Sequence, residues 1–189
     1  TARDVEAVYH RVLAESRTEG GEERIAAKRR DAEADLEFQA KIAAVVEAIE
    51  GGRFDEAQVR AVSAVEERPA DPLAWYVAGE ASLKARDYEA ALEALHRSRD
   101  LNPRHNFKVH LFTALAEMGL NRPSEAYRAL VDGLESCRMA EGVEALFCDY
   151  LARASAALKD REAERMWTER RAALAPEDPK AALALVRLL

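Results

Sequence analysis

Apolar positions recur with a helical period through almost the whole chain. Near the start, Val5, Val8, Tyr9, Val12 and Leu13 follow the i, i+3, i+4, i+7, i+8 spacing that lines one face of a helix. Gly20-Gly21 breaks that helix. A second, heavily charged helix starts near Glu22, with a thin stripe of Ile25, Ala32, Leu36, Ala40 and Ala43. Further on, apolar blocks alternate with short polar turns. The last segment, Ala181 to Leu189, is apolar almost all round and follows Asp178-Pro179, an N-cap with proline at the first helical position. No run of β-branched residues alternates over a useful length, so strands are not expected.

The middle of the chain carries a spaced pattern. It reads Trp75, Ala78-Gly79, Ser82, then Ala91, Leu95 and Pro103. A large residue at Trp75 fills the wedge between two helices. Small residues at Ala78, Gly79 and Ser82 let the helices approach, and Ala91 marks their crossing. Leu95 is expected to face the next repeat. Asn102-Pro103 stops the second helix, because a residue before proline avoids the α region. Ala57 lies 34 residues before Ala91, and Pro69 lies 34 before Pro103. Downstream, Ala126 follows Ala91 by 35 residues and Ala163 follows Ala126 by 37, with Trp167 close behind. This stretch resembles the tetratricopeptide repeat, a 34-residue helix–turn–helix unit.

The resemblance implies an all-α, right-handed superhelix of stacked repeats with an additional N-terminal helical segment. The expected division is residues 1–37 as a capping or partner-binding segment, repeats at 38–71, 72–105, 106–141 and 142–177, and a C-terminal helix at 178–189. Family members of this kind hold other proteins in a groove lined by the first helices of their repeats. Carried over by register, that lining is Ile42, Val46 and Ile49, then Leu73, Tyr76, Glu80, Leu83 and Lys84, then Phe107, His110, Ala114, Glu117 and Met118, with Cys148 and Ala152 in the last repeat. The set is mainly apolar and suits an extended or helical segment with hydrophobic anchors. Relatives that clamp a chaperone's C-terminal carboxylate use Lys, Asn and Arg where this chain has Ile42, Val46, Val77, Phe107 and Leu111, so that mode is not expected.

Charge narrows the partners. The net charge is −7, with 35 acidic against 28 basic residues, which argues against nucleic acid. The basic triplet Lys28-Arg29-Arg30 sits among acidic neighbours and reads as a solvated helix face. Cys137 and Cys148 read as free thiols and fit a cytoplasmic protein; the chain opens on Thr1, which leaves a periplasmic location open. No apolar run is long enough to span a membrane. No phosphate loop, metal-ligand spacing or nucleophile–base set is present, and the four histidines, His10, His96, His105 and His110, are scattered. No cofactor is therefore expected. The reading is a non-catalytic scaffold or adaptor for a protein or peptide. A secretion-type chaperone, a protein that self-assembles through its C-terminal helix, and a domain of a larger enzyme are the alternatives.

Overall fold

A computed structural model describes residues 20–102, 107–137, 139 and 141–187, together with helical positions 4, 7, 8, 10–12 and 14. Val5, Tyr9 and Leu13 of the leading stripe lie outside the described residues, as do Pro103, His105, Leu188 and Leu189. The described residues hold nine helices of eight residues or more. These are α1 (Gly21–Glu50), α2 (Phe54–Glu67), α3 (Pro72–Lys84), α4 (Tyr88–Leu101), α5 (Phe107–Gly119), α6 (Pro123–Ser136), α7 (Glu141–Leu158), α8 (Arg161–Leu174) and α9 (Pro179–Val186). The fold is all-α, with no strand among the described residues.

The chain divides into two units at Ala43 and Ala44, and α1 runs through the boundary. In the first unit every residue from Lys28 to Glu37 is exposed, while Phe38 and Ile42 are buried. The second unit is a right-handed superhelix of helix pairs. From α3 onward each helix packs on its predecessor, and α3 also touches α5.

A turn repeated along the chain builds these pairs. Gly52, Arg86, Asn121 and Lys159 all adopt positive φ, at 72°, 65°, 59° and 62°. Around each, one amide reaches back five residues to a carbonyl: Arg53 to Ala48, Asp87 to Ser82, Arg122 to Glu117 and Asp160 to Ser155. The turns are spaced by 34, 35 and 38 residues. The last spacing exceeds the 37 read from the alanines, because the alanine motif sits one residue closer to its turn in the fourth pair. Four starts are fixed by side-chain caps: Asp71 accepts from the Leu73 amide at 2.7 Å, Asp87 from Ala90, Asp160 from Ala163 and Asp178 from Lys180. Helix α4 ends at Leu101, with Asn102 extended as its place before proline requires.

Small residues set the spacing between helices. A side chain on Gly79 would lie 2.6 Å from Leu95 Cγ, so the α3–α4 crossing admits only hydrogen there. Leu95, fully buried, closes over Gly79 within its own repeat. Ala91 is fully buried and clusters with Leu92 and with Ala116 of α5. Trp75 is half-buried and donates from Nε1 to the Pro69 carbonyl at 2.8 Å. A further apolar cluster gathers around Leu111, Leu130, Phe147, Leu151 and Trp167.

Candidate partner-binding face

The first helices of the second and third repeats, α3 and α5, lie side by side. On α3, Leu73, Tyr76, Glu80 and Lys84 keep part or much of their surface, while Ala74, Val77 and Ala81 between them are buried. These four lie three or four residues apart and share one helix face. On α5 the accessible positions are Phe107, Lys108, Phe112 and Leu115, with Met118 and Gly119 at the far end. The Tyr76 and Phe112 rings join the two helices. Their centroids are 5.9 Å apart and their planes 15° from parallel. Phe107 in turn meets the buried Phe147 ring edge-on at 6.4 Å. Leu73, Tyr76, Phe112 and Leu115 thus form a row of apolar groups flanked by Glu80, Lys84 and Lys108.

The Tyr76 hydroxyl is buried and finds no hydrogen-bond partner in bonding geometry. Burial, followed by the nearby Glu80 carboxylate, raises the phenol far above its ordinary range, so it stays protonated.

The expected lining is distributed unevenly over the structure. Leu73, Tyr76, Glu80, Leu83 and Lys84 all keep accessible surface on α3, although Leu83 packs toward the Ala91 cluster. His110 and Glu117 lie elsewhere, at 7% and 8% exposure. His110 packs against Gly133 of α6 and its Nε2 lies 3.2 Å from the Ser136 hydroxyl. Glu117 closes the turn after α5, with its carboxylate 3.6 Å from Arg122. Ala114 is buried as well. The physical reason is one extra residue: α5 starts 35 residues after α3, not 34. With that offset His110 takes the wedge slot of Trp75, and Glu117 takes the turn slot of Ser82. Lys108 and Leu115 then take the slots of Leu73 and Glu80 on the face, and the 35-residue step from Ala91 to Ala126 was the signal for them; Phe112, in the slot of the buried Val77, does not follow from that offset.

Of the first-repeat positions, Ile42 and Ile49 are buried, and Val46 is 36% exposed. Ile42 belongs to the first unit and Val46 to the second. Cys148 is fully buried, whereas Ala152 is partly exposed. Ala152 lines a separate cleft of about 360 Å³ between α7, α8 and α9, together with Asp149, Arg153, Glu164, Arg171 and Arg187. There Asp149 pairs with both Arg153 and Arg171, and Arg171 reaches Asp178 at 2.8 Å. Asp149, Arg153 and Arg171 of this cleft are therefore engaged with one another.

Among the described residues no group of three His, Cys, Asp or Glu is placed to hold a metal ion. No described helix is long and apolar enough to cross a membrane.

A family model described as Tetratricopeptide repeat matches residues 48–110. Solved structures share the architecture at low identity. MamA residues 41 to the end from Desulfovibrio magneticus RS-1 superposes with a TM-score of 0.69 at 18% identity, covering 80% of this chain and 82% of that one. PilF from Pseudomonas aeruginosa gives 0.68 at 19% identity, over 82% of this chain and 68% of the other. A chain of the APC/C hetero-tetramer Cut9–Hcn1 gives 0.67 at 17% identity, over 79% of this chain and 29% of that chain. Identities at this level show a shared fold. No curated protein matches the sequence.

Proposed function

Because this chain carries tetratricopeptide repeats, we propose that it is a non-catalytic adaptor that binds a peptide or helix of a partner protein on the α3–α5 face. The observation that carries this reading is the row of Leu73, Tyr76, Phe112 and Leu115, held in place by the Tyr76–Phe112 stack and bordered by Glu80, Lys84 and Lys108. A preformed apolar row needs no reordering to receive a ligand, which lowers the entropic cost of binding. Spaced anchors on two parallel helices suit an amphipathic segment, and the mixed border charges orient it. A similarly folded chain belongs to the Cut9–Hcn1 hetero-tetramer, which is in keeping with such a role.

The test is selection from a displayed peptide library, followed by titration of the selected peptide. Replacing Leu73 and Lys108 with Glu is expected to weaken binding at least about tenfold, through loss of one apolar anchor and reversal of one border charge. Both side chains are exposed, so helicity and melting temperature should stay unchanged. Binding that is indifferent to this pair of changes would overturn the reading.

A second reading rests on α9, where Leu183 and Val186 are 53% and 66% exposed on an eight-residue helix. It makes α9 a self-assembly element. Light scattering on the full chain and on a truncation ending at Asp178 decides it: an oligomer that dissociates on truncation supports it, and an unchanged mass rules it out.

A further inference from the structure

The exposed half of α1 has an order of charges that the adaptor reading leaves unused. From Arg24 to Arg30 there are four basic side chains and no acidic one; from Asp31 to Glu37 there are four acidic side chains and no basic one. Every residue from Lys28 to Glu37 is exposed, including Leu36 at 71%. Little of this segment's surface is buried, so packing adds little to its stability. A leucine left that open on such a segment wants a cover.

One occupant fits both features. Ile25, Arg29, Ala32 and Leu36 follow one another at intervals of 4, 3 and 4, the seam spacing of a two-helix coiled coil. That spacing is the same read from either end. Two copies running antiparallel therefore place Ile25 of one across from Leu36 of the other, and Arg29 across from Ala32. The same arrangement sets the basic block of each copy on the acidic block of the other, with Lys28 beside Asp35 of the second copy. Arg29 lays its methylene stem over the small Ala32 and carries its guanidinium to the acidic side. A parallel pair would set Arg29 against Arg29 across the seam and is disfavoured.

We propose that the exposed segment of α1 is a self-complementary interface that pairs two copies of this chain antiparallel, with Ile25 and Leu36 as anchors and the charge blocks setting the direction. The interface has the two-fold, isologous form usual for homodimers.

Sedimentation velocity on the full chain, across a concentration series, tests it. A monomer–dimer equilibrium is expected, weakening as salt rises. Leu36→Glu and Lys28→Glu should each weaken association by about tenfold or more, an effect of roughly 1.4 kcal/mol. Adding Asp35→Lys to Lys28→Glu should restore it, since the exchanged charges again face each other. Truncation at Asp178 should leave this dimer intact, which separates it from assembly through α9. Circular dichroism confirms that each variant keeps its helices. A chain that stays monomeric throughout, as it would if another part of the same chain covered Leu36, overturns the proposal. So does a dimer indifferent to Leu36→Glu, or a charge exchange that restores nothing.

Discussion

At the scale of single residues, the stack depends on positions where a side chain is absent. Gly79 sits mid-helix and Gly133 in the last turn of its helix, where alanine would ordinarily add up to about 1 kcal/mol of stability. Here a Cβ would lie 2.6 Å from Leu95 and 2.6 Å from Phe147, respectively. Overpacking of that kind costs about 1–3 kcal/mol and outweighs the propensity gain. Gly79→Ala and Gly133→Ala should therefore each lower the melting temperature, whereas an exposed control such as Ser63→Ala should not. Cys148 gives a chemical readout of the same packing. Burial, offset in part by Arg170, pushes its thiol up to about 11 from 9.0. Below pH 9 the thiol is neutral whether folded or unfolded, and its contribution is intact. Between 9 and 11 the unfolded chain ionises first, so stability is lost as pH rises. Thiol-specific reagents at neutral pH should label the half-buried Cys137 and reach Cys148 only after denaturation. The glycine was legible in the sequence because a fixed offset from Trp75 and Ala91 marks it. The roles of His110 and Glu117 were not, since one inserted residue turns every later side chain by about 100° around its helix.

At the scale of elements, helices and turns were easier to read than the faces they present. The Asp178-Pro179 start of α9 was plain from residue type, and Asp178 does cap it. What holds α9 was invisible, because the partners come from distant positions. Asp149 on α7 pairs with Arg171 on α8, and Arg171 reaches Asp178 at the start of α9; the Asp149 and Arg171 side chains are each 17% exposed. Arg171→Ala leaves Asp149 short of a partner and frees the cap residue, at a cost of about 1–3 kcal/mol. Hydrogen exchange should show faster exchange over 179–186 in that variant and little change over α3 to α5. Equal acceleration throughout would mean that the ion pair supports more than the last helix.

At the scale of the whole molecule, nearly all tertiary contacts in the second unit join neighbours in the chain. Its stability is then close to a sum of repeat and interface terms, and local damage stays local. The acidic balance, −7 overall, agrees with a protein partner and argues against nucleic acid from composition alone. The exposed segment of α1 is not legible in that balance, because a charge count discards order. Order along the helix is what distinguishes a solvated face from a self-complementary one.

The repeated turn also leaves room for hardening the protein against heat. Only the first turn places glycine at its left-handed position; the others strain Arg86, Asn121 and Lys159. Asparagine tolerates that conformation better than the long side chains do. Arg86→Gly and Lys159→Gly should each add about 0.5–1 kcal/mol, and Asn121→Gly almost nothing. The sites are far apart, so the two gains should add, which a thermal melt of the double variant would show. Both lie outside the α3–α5 row, so heat tolerance and partner choice can be tuned independently in this chain.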